Sequence, residues 1–280
     1  LSTASIAALD ETQIATLKTS QVQALKTAQL NALSATAIGG LTSTELDGLT
    51  TSQIAGLSTG QIANLDTTNI ANLETTQLPG LTAAQLGSFS TDQLGALTTD
   101  QLNSLTAATF GALKSTQAAG LTTTQLAGLD TTRLQALNAT VLGALDSTQV
   151  DALTSTQVGL LKTSQLNAIS GTAFVELTTT DVGALTTTQL AGLNATSVER
   201  LTSTQVGTLT SDQLGALAPA TISTFSADDI AALSTTQLAG ITSAQVGKLT
   251  TTELSNLTST QFAALSSTAL AGLTSSQVKG

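Results

Sequence analysis

The feature that most limits how this chain can fold is an eight-residue period that runs from end to end without a single insertion or deletion. Cut every eight residues from Leu1, the 280 residues form 35 units, LSTASIAA, LDETQIAT, LKTSQVQA and so on to LTSSQVKG. Position one is Leu in 31 of 35 units, with Phe89, Phe225, Ile169 and Ile241 in the rest. Position six is Leu, Ile, Val or Phe in 34, Ala118 being the exception. Position five is Gln in 21, and positions two to four hold Ser or Thr at 73 of 105 sites. The consensus is L-T-T-T-Q-L-A-G. Internal repetition of this kind decides the architecture before any local propensity does.

Strand alternation cannot place positions one and six on one face, because they have opposite parity. A continuous α-helix fails as well. Eight residues turn it about 800°, so the leucine stripe drifts roughly 80° per unit. A helix start repeated in every unit fits both spacings. Position two is Ser, Thr, Asp or Asn in 29 of 35 units and reads as an N-cap. Gln or Glu at position five is then N3 and closes a capping box, while positions one and six are the two ends of a hydrophobic staple. Pro219 falls at N1, where proline is tolerated. Gly at positions seven and eight lets the chain leave one helix and restart. Where Lys18, Lys26, Lys114 or Lys162 stands at position two, the Ser or Thr that follows is the expected cap, one residue later.

One unit cannot fold alone. Two large side chains contribute about 1.5–3 kcal/mol each on burial, whereas ordering eight residues costs roughly 8–16 kcal/mol in backbone entropy. Order therefore has to come from stacked neighbours. The expected fold is an all-α repeat solenoid of very short helices, one per unit, over 1–280 as a single continuous array, with Leu, Ile and Val inside and Thr, Ser and Gln outside. The alternative is a β-solenoid with two or three octads per coil, since Thr is β-prone and suits stacked ladders. The weakest unit is expected at 113–120, where Ala118 and Lys114 remove the large staple and the cap acceptor, with 217–224 next because Ala218 cannot cap. The array starts and stops inside the repeat, without the polar end units solenoids need, which suggests a segment of a longer chain or a protomer of a filament.

Composition narrows the chemistry. Cys, His, Met, Trp and Tyr are absent, which removes disulfides, thiolate or imidazole metal sites and Ser-His or Cys-His nucleophile pairs. Eight Lys and Arg stand against eighteen Asp and Glu, for a net charge of −10, a poor basis for nucleic-acid binding. No stretch approaches the ~20 apolar residues of a membrane span. The adjacent acids Asp10–Glu11 and Asp228–Asp229 read as partners of helix N-termini rather than as an acid/base pair. The sequence suggests no catalytic residue, cofactor or metal. The only candidate sites are the Asn-x-Thr sequons at Asn138, Asn194 and Asn256 for N-glycosylation, and the hydroxyl-rich positions permit O-glycans.

The units LTTSQIAG at 49–56, LTTTQLAG at 121–128 and 185–192, and LTSTQVGT at 201–208 resemble octapeptide arrays in very large secreted or surface proteins of bacteria, adhesin-like or fibre-forming. That resemblance implies a non-enzymatic extracellular fibre, filament or adhesin stalk at the cell surface, self-associating end to end or laterally and open to covalent glycans. It brings no catalytic residues with it. The alternative is a repetitive Thr-rich surface that binds ice or polysaccharide.

Overall fold

A computed structural model describes residues 2–279. Nearly every octad folds as the capping pattern dictates, and 121–128 serves as the type. Thr122 is the N-cap in extended backbone (φ −76°, ψ 157°), followed by the helix Thr123–Ala127. The Thr122 hydroxyl accepts from the Gln125 N–H at 3.2 Å, and Gln125 Oε1 accepts from the Thr122 N–H at 2.8 Å. Leu129 N then donates to Leu126 O at 3.2 Å and turns the chain into the next unit. Helices this short are not stable as isolated segments; each exists because its ends are satisfied and its one large side chain is buried. No strand occurs among the described residues, so the all-α solenoid stands and the β-solenoid alternative falls.

The chain divides into two units, Leu1–Ala144 and Leu145–Gly280, with the division at an octad boundary. In the first, Gln61 Nε2 donates to Leu33 O, 28 residues earlier, and to Leu30 O, 31 residues earlier, both at 2.8 Å. Gln77, Gln85 and Gln117 make the same pair of bonds. In the second unit Gln189, Gln237 and Gln245 repeat it at the same offsets. Twenty-eight residues are three and a half octads, so within each unit one turn of the solenoid holds that number of helices.

Two apolar rows line the interior. Position six is fully buried in most octads, as at Leu86, Leu126 and Leu190, with Phe262 and Val278 exposed towards the C-terminal end, and position one is nearly so, as at Leu81, Leu121 and Leu185. Most position-five glutamines lie inside too, with Gln61 1% and Gln245 0% exposed, while Gln13 and Gln21 at the N-terminal end are exposed. Their expected place on the outer surface is therefore corrected: an amide that caps its own helix and reaches the preceding coil has to lie between coils.

Three local expectations also change. At Lys18, Lys26, Lys114 and Lys162 the cap does not slip; the lysine keeps the N-cap position in extended backbone. Lysine has no acceptor, so the N3 N–H turns to the lysine's own carbonyl instead, from Gln21 at 2.7 Å and Gln165 at 2.9 Å. Ala218 behaves in the same way, with Thr221 N on Ala218 O at 2.8 Å, and Pro219 takes N1 as expected. The glycines do not serve left-handed corners, since no described residue has positive φ. At position eight they serve close approach: a Cβ on Gly120 would lie 2.6 Å from Thr91 O and 2.7 Å from Thr91 Cα, in the coil before it.

Two octads tighten to 3₁₀ geometry. In 73–80 the segment is Leu78–Gly80, around Pro79, which lacks the N–H an α-turn needs. In 113–120 it is Ser115–Gly120, with the small Ala118 at the buried position. This second octad, expected to be the weakest, is tied to the preceding coil three times: Gln117 Nε2 reaches Leu86 O at 2.9 Å and Phe89 O at 3.0 Å, and Lys114 Nζ reaches Gly87 O at 2.6 Å.

Candidate functional site

What the fold organises is a lateral seam of backbone carbonyls, closed at position five of each octad. The last carbonyls of a helix have no α-helical partner within it: here the position-six carbonyl accepts from the N–H that opens the next octad, as Leu126 O does from Leu129 N, and the position-one carbonyl is left to side chains. The glutamine three and a half octads later reaches the position-one carbonyl through Nε2 together with the position-six carbonyl, or with that of position seven as Gln101 does at Ala71 O, while its Oε1 serves its own N-cap. Nearly the whole bonding capacity of one side-chain amide is used.

The substitutions at position five show how specific this requirement is. Asn69 Nδ2 reaches Leu41 O at 3.2 Å and Thr109 Oγ1 reaches Leu81 O at 3.0 Å, both 28 residues back. Arg133 donates through Nη2 to Leu105 O and through Nη1 to its own N-cap, Asp130, at 3.2 Å; its buried Nε has no partner. Ser197 is too short for the carbonyl of Ile169, and Arg200, at position eight of the same octad, takes it at 2.8 Å. Val141 has no donor at all, and Asn138, the N-cap of that octad, takes Leu113 O at 2.8 Å and Gly111 O at 3.0 Å. The sequence assigned position five only its capping role. The sign of the second was the amide's two unused donors, but their targets lie a full turn away and become visible only with the coil spacing.

The three sequon asparagines sit in different surroundings. Asn138 is half-buried and commits both Nδ2 hydrogens to the neighbouring coil. Asn194 is an exposed N-cap whose Oδ1 accepts from Ser197 N at 2.8 Å, and Asn256 is an exposed C-cap. The fold does not bring them together. Positions two to four face outward, as at Thr122–Thr124 and Thr186–Thr188.

The adjacent acids are placed as helix-end groups. Asp10 Oδ1 accepts from Gln13 N at 2.8 Å, and Glu11 opens the first turn. Asp229 accepts from the Ser226 N–H at 3.0 Å, from the Ser226 hydroxyl at 2.7 Å and from the Ser203 hydroxyl of the preceding coil. Partial burial works against its charge, but these three hydrogen bonds outweigh it and hold the carboxyl below its usual value. Asp47 moves the other way, pushed up first by burial and then by the nearby Glu74 carboxylate. Among the described residues no three Asp or Glu side chains group as metal ligands, and no helix is long and apolar enough to cross a membrane.

Capped octads, buried amide rows and outward hydroxyls define the chain as an all-α repeat array. A family model described as the ALTTAQ repeat matches it three times, over residues 70–107, 127–163 and 222–259, together under half of its length. Over those stretches the chain is similar to that family. No curated protein matches it.

Proposed function

We propose that the chain is a non-enzymatic structural protein: an extended extracellular fibre, filament or adhesin stalk. The observation that carries this reading is the use made of position five, the most chemically constrained position of the repeat after the leucines. Its polar groups are committed to holding one coil on the next, and the outward positions carry short hydroxyl side chains in uniform octads with no inserted loop. Functional groups usually gather on loops set upon a rigid scaffold; here every octad is scaffold. The resemblance to octapeptide arrays of large bacterial surface proteins supports a place outside the cell or at its surface. Self-association, end to end or laterally, and covalent glycans belong to the same proposal. Electron micrographs of the purified chain test it: elongated particles or filaments are expected, and discrete compact monomers under all conditions would overturn it.

The outward rows at 122–124 and 186–188 favour one second reading, a repetitive surface that binds ice or polysaccharide. Thermal-hysteresis measurement and a glycan array decide between the two, and silence in both removes the second.

A further inference from the structure

Position five closes each coil onto the one before it only where it carries a donor, and in two places the donor is missing from consecutive octads. In the first unit Ala37 and Glu45 stand in consecutive octads, and in the second unit Ala173 and Asp181 do the same. Alanine has no polar side chain. The two carboxylates are turned to their own caps: Glu45 Oε2 accepts from the Thr42 N–H at 2.8 Å and its hydroxyl at 2.9 Å, and Asp181 Oδ2 accepts from the Thr178 N–H at 2.7 Å and its hydroxyl at 2.6 Å. Among the described residues, no side-chain donor reaches the carbonyls these positions face, Leu9 and Leu17 in the first unit and Leu145 and Leu153 in the second. Elsewhere across the second gap runs a long side-chain bond, Ser147 Oγ to Thr172 O at 3.4 Å.

The opposite face of the same octads is fully tied. Gln61 and Asn69 hold Leu33 O and Leu41 O at 2.8 and 3.2 Å. Arg200 and Gln205 hold Ile169 O and Leu177 O at 2.8 and 2.5 Å. The gap is thus one-sided, and two consecutive octads are more than half of a turn. Elsewhere the losses are replaced or fall singly: Asn138 stands in for Val141, Arg200 for Ser197, and Asp229 keeps a bond to the preceding coil through the Ser203 hydroxyl, whereas Thr221, which turns its hydroxyl to its own Ala218 O, Glu253, which serves its own cap, and Ala269 each interrupt the row in one octad only. Apolar packing persists at the gaps, where Ile38, Leu46, Phe174 and Val182 are fully buried.

We infer that each unit has a built-in parting plane, between 9–24 and 33–48 in the first and between 145–160 and 169–184 in the second, at which one coil opens from the next while the bridged coils remain closed. In a quasi-one-dimensional array, opening starts at the weakest neighbour interface. An array loaded along its length would therefore lengthen first at these planes and keep the rest of its coils intact.

Hydrogen exchange read by mass spectrometry on the full chain tests this. Amides of 33–48 and 169–184 are expected to exchange at least tenfold faster than those of 81–96, where Gln85 and Gln93 bridge. The pair Ala37→Gln and Glu45→Gln restores the consensus and should slow exchange in 9–24 and 33–48 alone. Ala173→Gln with Asp181→Gln should do so in 145–160 and 169–184 alone. Equal protection of the planes and of 81–96 in the unmodified chain overturns the inference. So does fast exchange that the glutamine pairs leave unchanged, since that is fraying unrelated to the missing donors.

Discussion

At the scale of the residue, the position-five amide matters more than the cap it completes. Replacing Thr82 by Ala removes one cap acceptor, a loss of about 0.5–2 kcal/mol. Replacing Gln85 by Ala removes the box and also strands the buried carbonyl of Leu57, a desolvated acceptor worth about 1–3 kcal/mol when left unpaired, and leaves Ile54 O with the Leu57 N–H alone. Chemical denaturation should therefore rank Gln85→Ala as the more damaging of the two, and equal losses would refute the bridging role. In the opposite sense, Glu253→Gln supplies an Nε2 donor facing Phe225 O and should stabilise by about 0.5–1.5 kcal/mol.

The two shifted carboxylates predict opposite responses to acid. The depressed Asp229 contributes stability that is present above the ordinary carboxylate range and lost as pH falls through its folded value. The raised Asp47 opposes folding when ionised, and that penalty is relieved as pH falls through its folded value. At neutral pH Asp229→Ala should lower Tm and Asp47→Asn should raise it, with both differences shrinking once the carboxylates are protonated. For the sequons, mass spectrometry of a chain glycosylated after folding should find sugar on Asn194 or Asn256 and none on Asn138, whose Nδ2 is committed to Gly111 O and Leu113 O.

At the scale of the element, the capping box and staple were legible in single octads because their partners lie within six residues. Thr122, Gln125, Leu121 and Leu126 stand where that local pattern puts them. The lysine caps depart from expectation because the staple at positions one and six fixes where the helix starts, whatever acceptor stands at position two. The glycines depart for a different reason: their neighbours lie about 29 residues away, as Thr91 does from Gly120, and nothing in the octad itself signals that contact. The distinction can be measured. A Cβ on Gly60 would meet nothing within 4 Å, so Gly60→Ala should stabilise by about 0.5–1 kcal/mol through helix propensity. Gly120→Ala drives a methyl into the Thr91 backbone and should destabilise instead. Thermal melts of the two variants that shift in the same direction would show that close approach is not what position eight requires.

At the scale of the whole molecule, the recurring lateral bond joins one class of position to another, not one particular residue to another. Removing a complete octad, such as 81–88, changes which octads meet but leaves position five facing position one 28 residues earlier. Removing 81–84 brings position five against position five for a full turn beyond the cut. The first deletion should keep the helical circular-dichroism signal per residue and a cooperative melt, and the second should lose both over the coils next to the deletion. The number of octads in a turn was not legible from the repeat, because a strict eight-residue period is compatible with any number of octads per coil; only the bonds at 28 and 31 residues select three and a half.

Those bonds also give the array a direction of growth. The position-five glutamine amides that bridge coils donate backwards, from a later coil to carbonyls of an earlier one, as Gln61 does to Leu33 and Gln245 does to Leu217. A coil thus meets a surface of acceptors already in place, and offers its own carbonyls to residues that follow it. A chain threaded out from its N-terminus, whether from a ribosome or through a secretion channel, can dock each turn as it emerges without waiting for distant sequence. Emerging from the C-terminus, each turn would present amides with nothing yet to bind.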